Sequence, residues 1–139
     1  MRDSDITEVV TIERVLFSTP WSEKAFFKEI HSPYSITKVA TVGNNVVGYV
    51  CGNCLIDEGH LLNLAVHPDF RRQGIGTALV EEVLIELKKR GCKYLYLEVR
   101  VSNVSARTFY EHLKFRVVGV RRNYYTLPTE DALVMMLEL

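Results

Sequence analysis

Apolar residues recur along this chain with two spacings, one typical of helices and one typical of strands. From Asp3 to Phe17 they fall three and four positions apart, which predicts an amphipathic helix. The same spacing predicts further helices between Ser22 and Pro33, from Ile75 to Arg90 and from Asn103 to Leu113. Gly91 is the predicted stop of the third helix.

Between these helices, short runs rich in β-branched and aromatic residues predict six strands. They are Ile36–Val42, Val46–Leu55, Leu61–Val66, Tyr94–Val99, Phe115–Val120 and Ala132–Leu137. The order is two helices, three strands, a helix, a strand, a helix and two strands. Because strands and helices interleave in this way, we expect an α/β (mixed α+β) fold with a mixed central sheet flanked by helices.

Composition narrows the class of protein. The chain has 139 residues, which predicts a single domain over 1–139, and 47% of them are hydrophobic. Its 17 basic and 17 acidic residues cancel, which argues against a general nucleic-acid binder. There is no apolar run long enough for a membrane span, the first residues are acidic rather than signal-like, and three cysteines fit a reducing compartment. We therefore expect a cytoplasmic protein that binds neither membranes nor nucleic acid.

The segment LLNLAVHPDFRRQGIG, from Leu61 to Gly76, joins a buried strand to the strongest helix through a short loop. The first N–H groups of a helix lack intrahelical partners and carry partial positive charge, so they attract anions. Glycines at 74 and 76 would let a phosphate approach those N–H groups, and Arg71 and Arg72 add positive charge. The pattern predicts a phosphate site, although a helix start without a ligand is the alternative.

Two common phosphate loops do not match this segment. A Walker loop requires G-x-x-x-x-G-K-[ST], which is absent, and a dinucleotide fingerprint requires glycine where Leu79 stands. The remaining pattern, R-x-x-G-x-G between a strand and a helix, resembles the pyrophosphate loop of the GNAT superfamily (GCN5-related N-acetyltransferases).

The resemblance extends over nearly the whole chain and is strongest to the RimI-type ribosomal-protein alanine N-acetyltransferases. It is carried also by Pro20–Ser22, Leu97–Asn103, Phe109–Phe115 and Arg121–Tyr125. It implies a GNAT fold with splayed parallel strands, acetyl-CoA as co-substrate, no metal, and transfer of an acetyl group to a protein N-terminus by direct attack. The acceptor would be a ribosomal protein or a wider set of Ala-, Ser- or Met-starting proteins, and the enzyme a monomer or weak homodimer.

The resemblance also implies roles for individual residues. Glu98 would be the general base and Tyr110 the general acid. The cofactor-binding residues would be Leu64, Ala65, Val66, Arg71, Arg72, Gln73, Gly74, Ile75, Gly76, Thr77, Asn103 and Tyr110. Trp21, Tyr124 and Tyr125 would contact the substrate peptide, as part of a wall that begins at Arg121.

Each of these side chains has a simpler interpretation. Strand alternation places Glu98 on the face opposite Leu97, where it could be an ordinary solvated charge. Tyr110 could be core packing, Asn103 could cap a helix, and the two tyrosines could be ordinary strand aromatics. In the catalytic interpretation, we expect partial burial to raise the pKa of Glu98.

Acceptor chemistry favours an N-terminus. A protein α-amine has a pKa of about 7.7–8.0, whereas a lysine amine near 10.4 is roughly 400-fold less available in its neutral form. A GNAT enzyme for a lysine or a small amine remains an alternative, and so does a non-catalytic acyl-CoA-binding module, which would not need acid–base groups.

Some residues depart from the resemblance or suggest other chemistry. The family has glycine where Lys114 stands, which predicts a different helix exit, and Met1-Arg2 leaves little room for the family's first strand unless the true start lies upstream. Cys51 and Cys54 lie within a predicted strand and should face opposite sides, so we expect neither a redox pair nor a zinc site, and Cys92 should be unpaired. Surface or capping roles are expected for His67 and His112.

Overall fold

The computed structural model describes residues 1–139, and its elements follow the predicted order. A 3-10 turn at Asp3–Asp5 leads into the first helix, and a second one, Pro68–Phe70, follows the third strand. The helices are α1 (Ile6–Leu16), α2 (Glu23–Ile30), α3 (Ile75–Lys89) and α4 (Val104–His112). The strands are β1 (Ser35–Val42), β2 (Asn45–Leu55), β3 (Glu58–Val66), β4 (Tyr94–Arg100), β5 (Arg116–Tyr125) and β6 (Glu130–Glu138).

All six strands form one mixed sheet in the order β1-β2-β3-β4-β6-β5. β3 and β4 are its single parallel pair, and every other neighbouring pair is antiparallel. A parallel pair needs a crossover connection, and α3 provides it. The fold class predicted from the sequence is confirmed.

The core between α3 and the sheet follows from strand alternation. Leu79, Val83 and Leu87 lie on one stripe of α3 and are buried against Leu95 and Leu97 of β4. The intervening residues of β4 therefore project from the opposite face, where the side chain of Glu98 lies, as the sequence predicted.

A second core packs α1 and α2 on that opposite face. Val9 and Val10 of α1 and Phe26 of α2 are buried against Tyr49 of β2. These two helices contact β1, β2 and β3. The same face of β4 lies beyond them, so its side chains remain accessible from the cleft described below. None of the four helices has the length and apolar character needed to cross a bilayer.

The C-terminal ends of α3 and α4 both adopt a left-handed backbone conformation, one as predicted and the other not. Gly91 stops α3 in a left-handed conformation (φ 79°), as predicted. Lys114 also adopts a left-handed conformation (φ 77°) after α4, and the next amide, Phe115 N–H, donates to Tyr110 O at 3.0 Å. The different exit expected for a lysine was therefore wrong: the backbone follows the glycine-type path and the lysine accepts its strain. Upstream of α1 there is a turn rather than a strand, and the Met1 amine donates to Thr37 O at 3.1 Å.

The cysteines confirm one prediction and correct another. Cys51 belongs to the core under α1 and Cys54 to the core under α3, so they face opposite sides as expected. The prediction that Cys92 is unpaired was wrong, because Cys54 and Cys92 form a disulfide with Cα atoms 6.6 Å apart. These residues are 38 positions apart in the chain, and the return of the chain through α3 brings them together.

Candidate active site

The central feature of the site is a fork between β3 and β4. The two strands pair only where Glu58–His60 lies opposite Tyr94–Tyr96. Beyond His60 they diverge, so the facing backbone N–H and C=O groups of Leu61–Val66 have no partner in β4. Because such groups need hydrogen bonds, the open edge is suited to an extended ligand. The predicted splaying of the parallel strands is thus present.

A cleft of about 480 Å³ occupies the open side of the fork. Six of the residues assigned to the site from the sequence line it: Trp21, Leu64, Glu98, Asn103, Tyr110 and Tyr125. They come from the loop after α1, from β3, from β4, from both ends of the α4 segment and from β5. The fold therefore brings together side chains that are up to 104 positions apart in the sequence.

A β-bulge in β3 adds to the free backbone at this point. Cys51 of β2 lies opposite Asn63, whereas the next residue, Gly52, lies opposite Leu61, which leaves Leu62 as the extra residue. A bulge of this kind interrupts the ladder and redirects a backbone N–H group. Leu62 also lines the cleft, so this irregular backbone faces the space between the strands.

The glycine-bearing loop has the geometry of an anion site. Gly74 precedes α3 in a left-handed conformation (φ 78°), and a Cβ there would meet no atom within 4 Å. The Ala78 N–H donates to Gly74 O at 3.0 Å as the first bond of the helix, so the N–H groups of Ile75, Gly76 and Thr77 precede it without intrahelical partners. A Cβ on Gly76 would lie 3.8 Å from Val66, which places this helix start beside the end of β3.

These features fit the diphosphate of coenzyme A. Arg71, Arg72 and Gln73 are exposed beside the free N–H groups, and Arg72 has a left-handed backbone (φ 62°). Leu64 and Val66 are partly exposed at the open edge, but the side chain of Ala65 is buried toward α1. Any contact from Ala65 to a ligand would therefore come from its backbone.

Glu98 lies at the fork and is held by two cationic or polar side chains. Its carboxylate is 7% exposed, with Oε2 2.6 Å from His60 Nε2 and Oε1 3.7 Å from Arg121. The hydrogen bond from His60, with smaller help from the charge of Arg121, lowers the pKa of Glu98 despite the opposing effect of burial. The expectation of a raised pKa was wrong, because strand alternation alone did not reveal the histidine beside it.

Tyr110 lies on the far side of the cleft in an aromatic cluster. Its ring packs edge-on against Phe109 and Phe115, with centroids 5.2 and 5.4 Å away. Burial raises the pKa of its hydroxyl well above the ordinary value, so the group is protonated at neutral pH. Tyr110 therefore serves both as packing, the simpler interpretation, and as a proton-bearing group that lines the cleft.

The wall of the cleft on the β5 side combines tyrosines with arginines. The guanidinium of Arg100 lies 4.5 Å from the Tyr125 ring centre, and that of Arg121 lies 5.4 Å from Tyr124. Tyr125 lines the cleft, whereas Tyr124 is 46% exposed and lies outside its lining. Arg100 was not assigned to the site from the sequence, and it also bonds Thr126 O and Pro128 O in the β5–β6 loop.

A buried carboxylate that the sequence reasoning missed fixes the opposite wall. Glu13 of α1 is 1% exposed and accepts hydrogen bonds from Trp21 N–H (2.9 Å), Tyr49 Oη (2.5 Å) and Asn63 Nδ2 (2.8 Å). It thereby ties the loop after α1 to β2 and β3. A signal for it was present: Glu13 stands on the apolar stripe of α1, in register with Ile6, where a charge requires partners.

The other assigned or considered side chains have local roles. The Oδ1 of Asn103 accepts from Ala106 N–H at 3.1 Å and caps α4, while the residue also lines the cleft. His67 Nδ1 accepts from Asp69 N–H at 3.1 Å, a capping role as expected. His112 bonds Thr108 O on the exposed side of α4. His60 carried no distinctive sequence signal, and only its contact with Glu98 identifies it.

The known proteins that this chain resembles are acetyltransferases. Residues 6–115 match the family model described as the acetyltransferase (GNAT) family. The [ribosomal protein bS18]-alanine N-acetyltransferase of Escherichia coli K12 is 38% identical, and the alignment covers 100% of this chain and 95% of that protein.

Solved structures extend this likeness to three dimensions. The crystal structure of the ribosomal-protein-S18-alanine N-acetyltransferase from Escherichia coli has a TM-score of 0.90 at 38% identity, covering 99% of this chain and 90% of that one. Arabidopsis thaliana Naa50 in complex with the bisubstrate analogue CoA-Ac-MVNAL has a TM-score of 0.88 at 25% identity, covering 100% and 95%. The chain therefore belongs to the GNAT family of acetyltransferases, whose co-substrate is acetyl-CoA, and the resemblance predicted from its sequence is confirmed.

Proposed function

We propose that this chain acetylates the N-terminal α-amine of a protein in the cytoplasm, and that a ribosomal protein is its acceptor. The observation that carries the proposal is the pairing of an ionised carboxylate, Glu98, with a protonated phenol, Tyr110, in one cleft at the open fork. The similarity to alanine N-acetyltransferases of a ribosomal protein supports this choice of acceptor. One sheet runs through the whole chain, so we treat it as a single catalytic domain.

The coenzyme side of the reaction relies on backbone groups. The free N–H groups of Ile75–Thr77 would bind the diphosphate, with Arg71 and Arg72 adding charge. The open edge of β3 from Leu64 to Val66 would hydrogen-bond the pantetheine arm, with the Asn103 amide nearby in the cleft. Backbone N–H groups near the bulge at Leu62 would polarise the thioester carbonyl.

The acceptor side relies on side chains. The amine nitrogen attacks the thioester carbon, so a C–N bond forms, the C–S bond breaks and the nitrogen loses one proton. Glu98, which is ionised at neutral pH because its pKa is lowered, accepts that proton once bond formation makes the nitrogen acidic. Tyr110 is protonated at neutral pH because burial raises its pKa; its hydroxyl first donates a hydrogen bond to the departing sulfur and then, as the general acid, transfers its proton to that sulfur. Trp21, Tyr124 and Tyr125 would contact the peptide behind the amine.

The lowered pKa of Glu98 has a consequence for the pH dependence. A base that is already ionised well below neutrality does not limit the rate between pH 6 and 8. The rise of kcat/KM over that range should instead follow deprotonation of the acceptor amine, with a midpoint of about 7.7–8.0. A profile whose midpoint stays fixed when the acceptor amine is replaced by one of different pKa would contradict this assignment.

A peptide panel tests the proposed function. Short peptides beginning with Ala, Ser or Met, each with an internal lysine, are incubated with acetyl-CoA in free and N-terminally blocked forms. We expect mass spectrometry to place one acetyl group on the α-amine of the free peptides and none on the blocked ones. Transfer to the lysine of the blocked peptides would refute the N-terminal assignment. Calorimetry with acetyl-CoA alone separately tests coenzyme binding.

A further inference from the structure

A histidine–carboxylate pair stands at the point where β3 and β4 separate. His60 is the last residue of β3 in register with β4, opposite Tyr96, and Glu98 lies two residues further along β4 on the same face. The Nε2 of His60 is 2.6 Å from Oε2 of Glu98. The pair therefore occupies the boundary between paired backbone and open cleft.

The geometry defines which atom donates. An ionised carboxylate has no proton to give, so His60 Nε2–H is the donor and Oε2 is the acceptor. The other oxygen, Oε1, lies 3.7 Å from the guanidinium of Arg121, a side chain that is 57% exposed. Oε2 is thus held by a short hydrogen bond from His60, while the Glu98 side chain also lines the cleft.

We propose that His60 is a positioning residue for Glu98, whose carboxylate it holds in the orientation and charge state that accept the proton of the acceptor amine. This inference rests on the proposed function, because it assumes that Glu98 is the general base. A glutamate side chain is flexible, and fixing one oxygen removes the rotamers that would turn the carboxylate away from the cleft.

Other groups around the carboxylate are distributed over several elements. The titratable and charged residues near it are Glu58 and His60 of β3, Arg100 of β4, Arg121, Tyr124 and Tyr125 of β5, and, across the cleft, Glu13 of α1 and Tyr110 of α4. β6 contributes apolar Val134 opposite Glu98. Among them His60 makes the single hydrogen bond from a neighbouring side chain to the Glu98 carboxylate.

The test compares His60→Ala and His60→Gln with the unmodified chain. Glutamine keeps an N–H donor near the position of Nε2, and alanine does not. The titration of Glu98 is followed by ¹³C NMR of the glutamate carboxyl carbons, with its signal assigned by absence from Glu98→Gln. We expect His60→Ala to move that titration to higher pH and to lower kcat at least about tenfold, with KM for acetyl-CoA unchanged. His60→Gln should reverse most of both changes.

A second histidine–carboxylate pair provides the control. His31 Nε2 lies 2.8 Å from Asp3 Oδ1 at the surface, so His31→Ala removes a contact of the same kind away from the cleft. It should leave kcat and the Glu98 titration unchanged. In a Glu98→Gln background, His60→Ala should lower kcat no further, because the group that it positions is absent.

The outcomes separate this inference from the proposed function. If His60→Ala leaves either the Glu98 titration or kcat as in the unmodified chain, the positioning role is overturned. The NMR titration needs no substrate, so it reports on the His60–Glu98 pair even if the peptide panel shows no N-terminal transfer. That panel result would refute the acceptor assignment alone, whereas full activity of Glu98→Gln would remove both Glu98 and His60 from the mechanism.

Discussion

The two ends of the β3–β4 pair use the same strands for opposite purposes. At the closed end, the backbone groups of Glu58–His60 form hydrogen bonds with those of Tyr94–Tyr96. Because Gly59 has no side chain, Leu87 packs within 2.9 Å of the position that a Cβ would occupy there. The Cys54–Cys92 disulfide joins the chain segments just outside this end. At the open end, backbone groups and the side chains of Glu98 and Tyr110 face a cleft.

One pair of strands thus contributes both to stability and to catalysis. At the closed end the backbone groups are hydrogen-bonded and the side chains are closely packed, so substitutions there should alter the free energy of unfolding. The open end leaves polar groups unpaired within the chain, so changes there should alter binding or turnover instead. Substitutions at the two ends should therefore affect different measured quantities.

Loss of the Cys54–Cys92 disulfide should act on stability. Closing a loop between residues 38 positions apart contributes about 3–4 kcal/mol in the chain-entropy description. Reduction should lower the free energy of unfolding, measured by denaturant titration, by about this amount while acetyl-CoA affinity is unchanged. A Cys54→Ser, Cys92→Ser double variant should show the same lower stability and no response to reductant. Weaker coenzyme binding in the reduced chain would break the division between the two ends.

Glu98→Gln should act on turnover. Loss of the proton acceptor should lower kcat by roughly 10²-fold or more, with acetyl-CoA affinity nearly intact. Steady-state kinetics with an N-terminal peptide and calorimetry with acetyl-CoA measure the two effects separately. Glu138→Gln is the matched control, because Glu138 lies opposite Tyr94 at the closed end and is exposed. Equal losses in the two variants would argue against a special role for Glu98.

Gly74→Glu should act on coenzyme binding. The substitution places a negative side chain beside the free N–H groups of α3, where the diphosphate would bind, and should weaken acetyl-CoA binding by more than about tenfold. Gly91→Glu is the matched control. Gly91 lies at the other end of α3, has almost the same backbone angle as Gly74 (φ 79° against 78°), and a Cβ at either residue would meet no atom within 4 Å. Both variants carry the left-handed strain, so calorimetry should find weaker binding in Gly74→Glu alone.

Lys114→Gly should give the smallest effect, a gain in stability. A non-glycine side chain in the left-handed region costs about 1–2 kcal/mol, which glycine removes. Glycine also makes the unfolded chain more flexible, which lowers the free energy of unfolding by about 0.4–1 kcal/mol and offsets part of the gain. The net gain should be about 0.5–1 kcal/mol in denaturant titration. Lys88→Gly is the control: Lys88 is exposed in the last turn of α3, where the backbone is helical, so glycine there should lower stability instead, by up to about 1 kcal/mol. A loss in both variants would mean that the Lys114 side chain makes a favourable contact.

Local patterns were sufficient for most of the fold. Helix and strand spacing predicted the order of all ten elements, the stripe of Leu79, Val83 and Leu87 and the stop at Gly91, because each depends on residues within a few turns. Lys114 is the exception. A lysine disfavours the left-handed conformation, but the connection between α4 and β5 requires that conformation at this position.

For the proposed site, local sequence was enough to predict the anion-binding loop. Its N–H groups, glycines and arginines lie in one continuous segment from Arg71 to Thr77, so their proximity follows from the chain. The proposed acceptor side depends instead on long-range contacts. The contacts of Glu98 with His60 and of Glu13 with Tyr49 and Asn63, like the bond between Cys54 and Cys92, join residues 36 to 50 positions apart. Such contacts arise when strands pair and helices pack, and no local spacing specifies them.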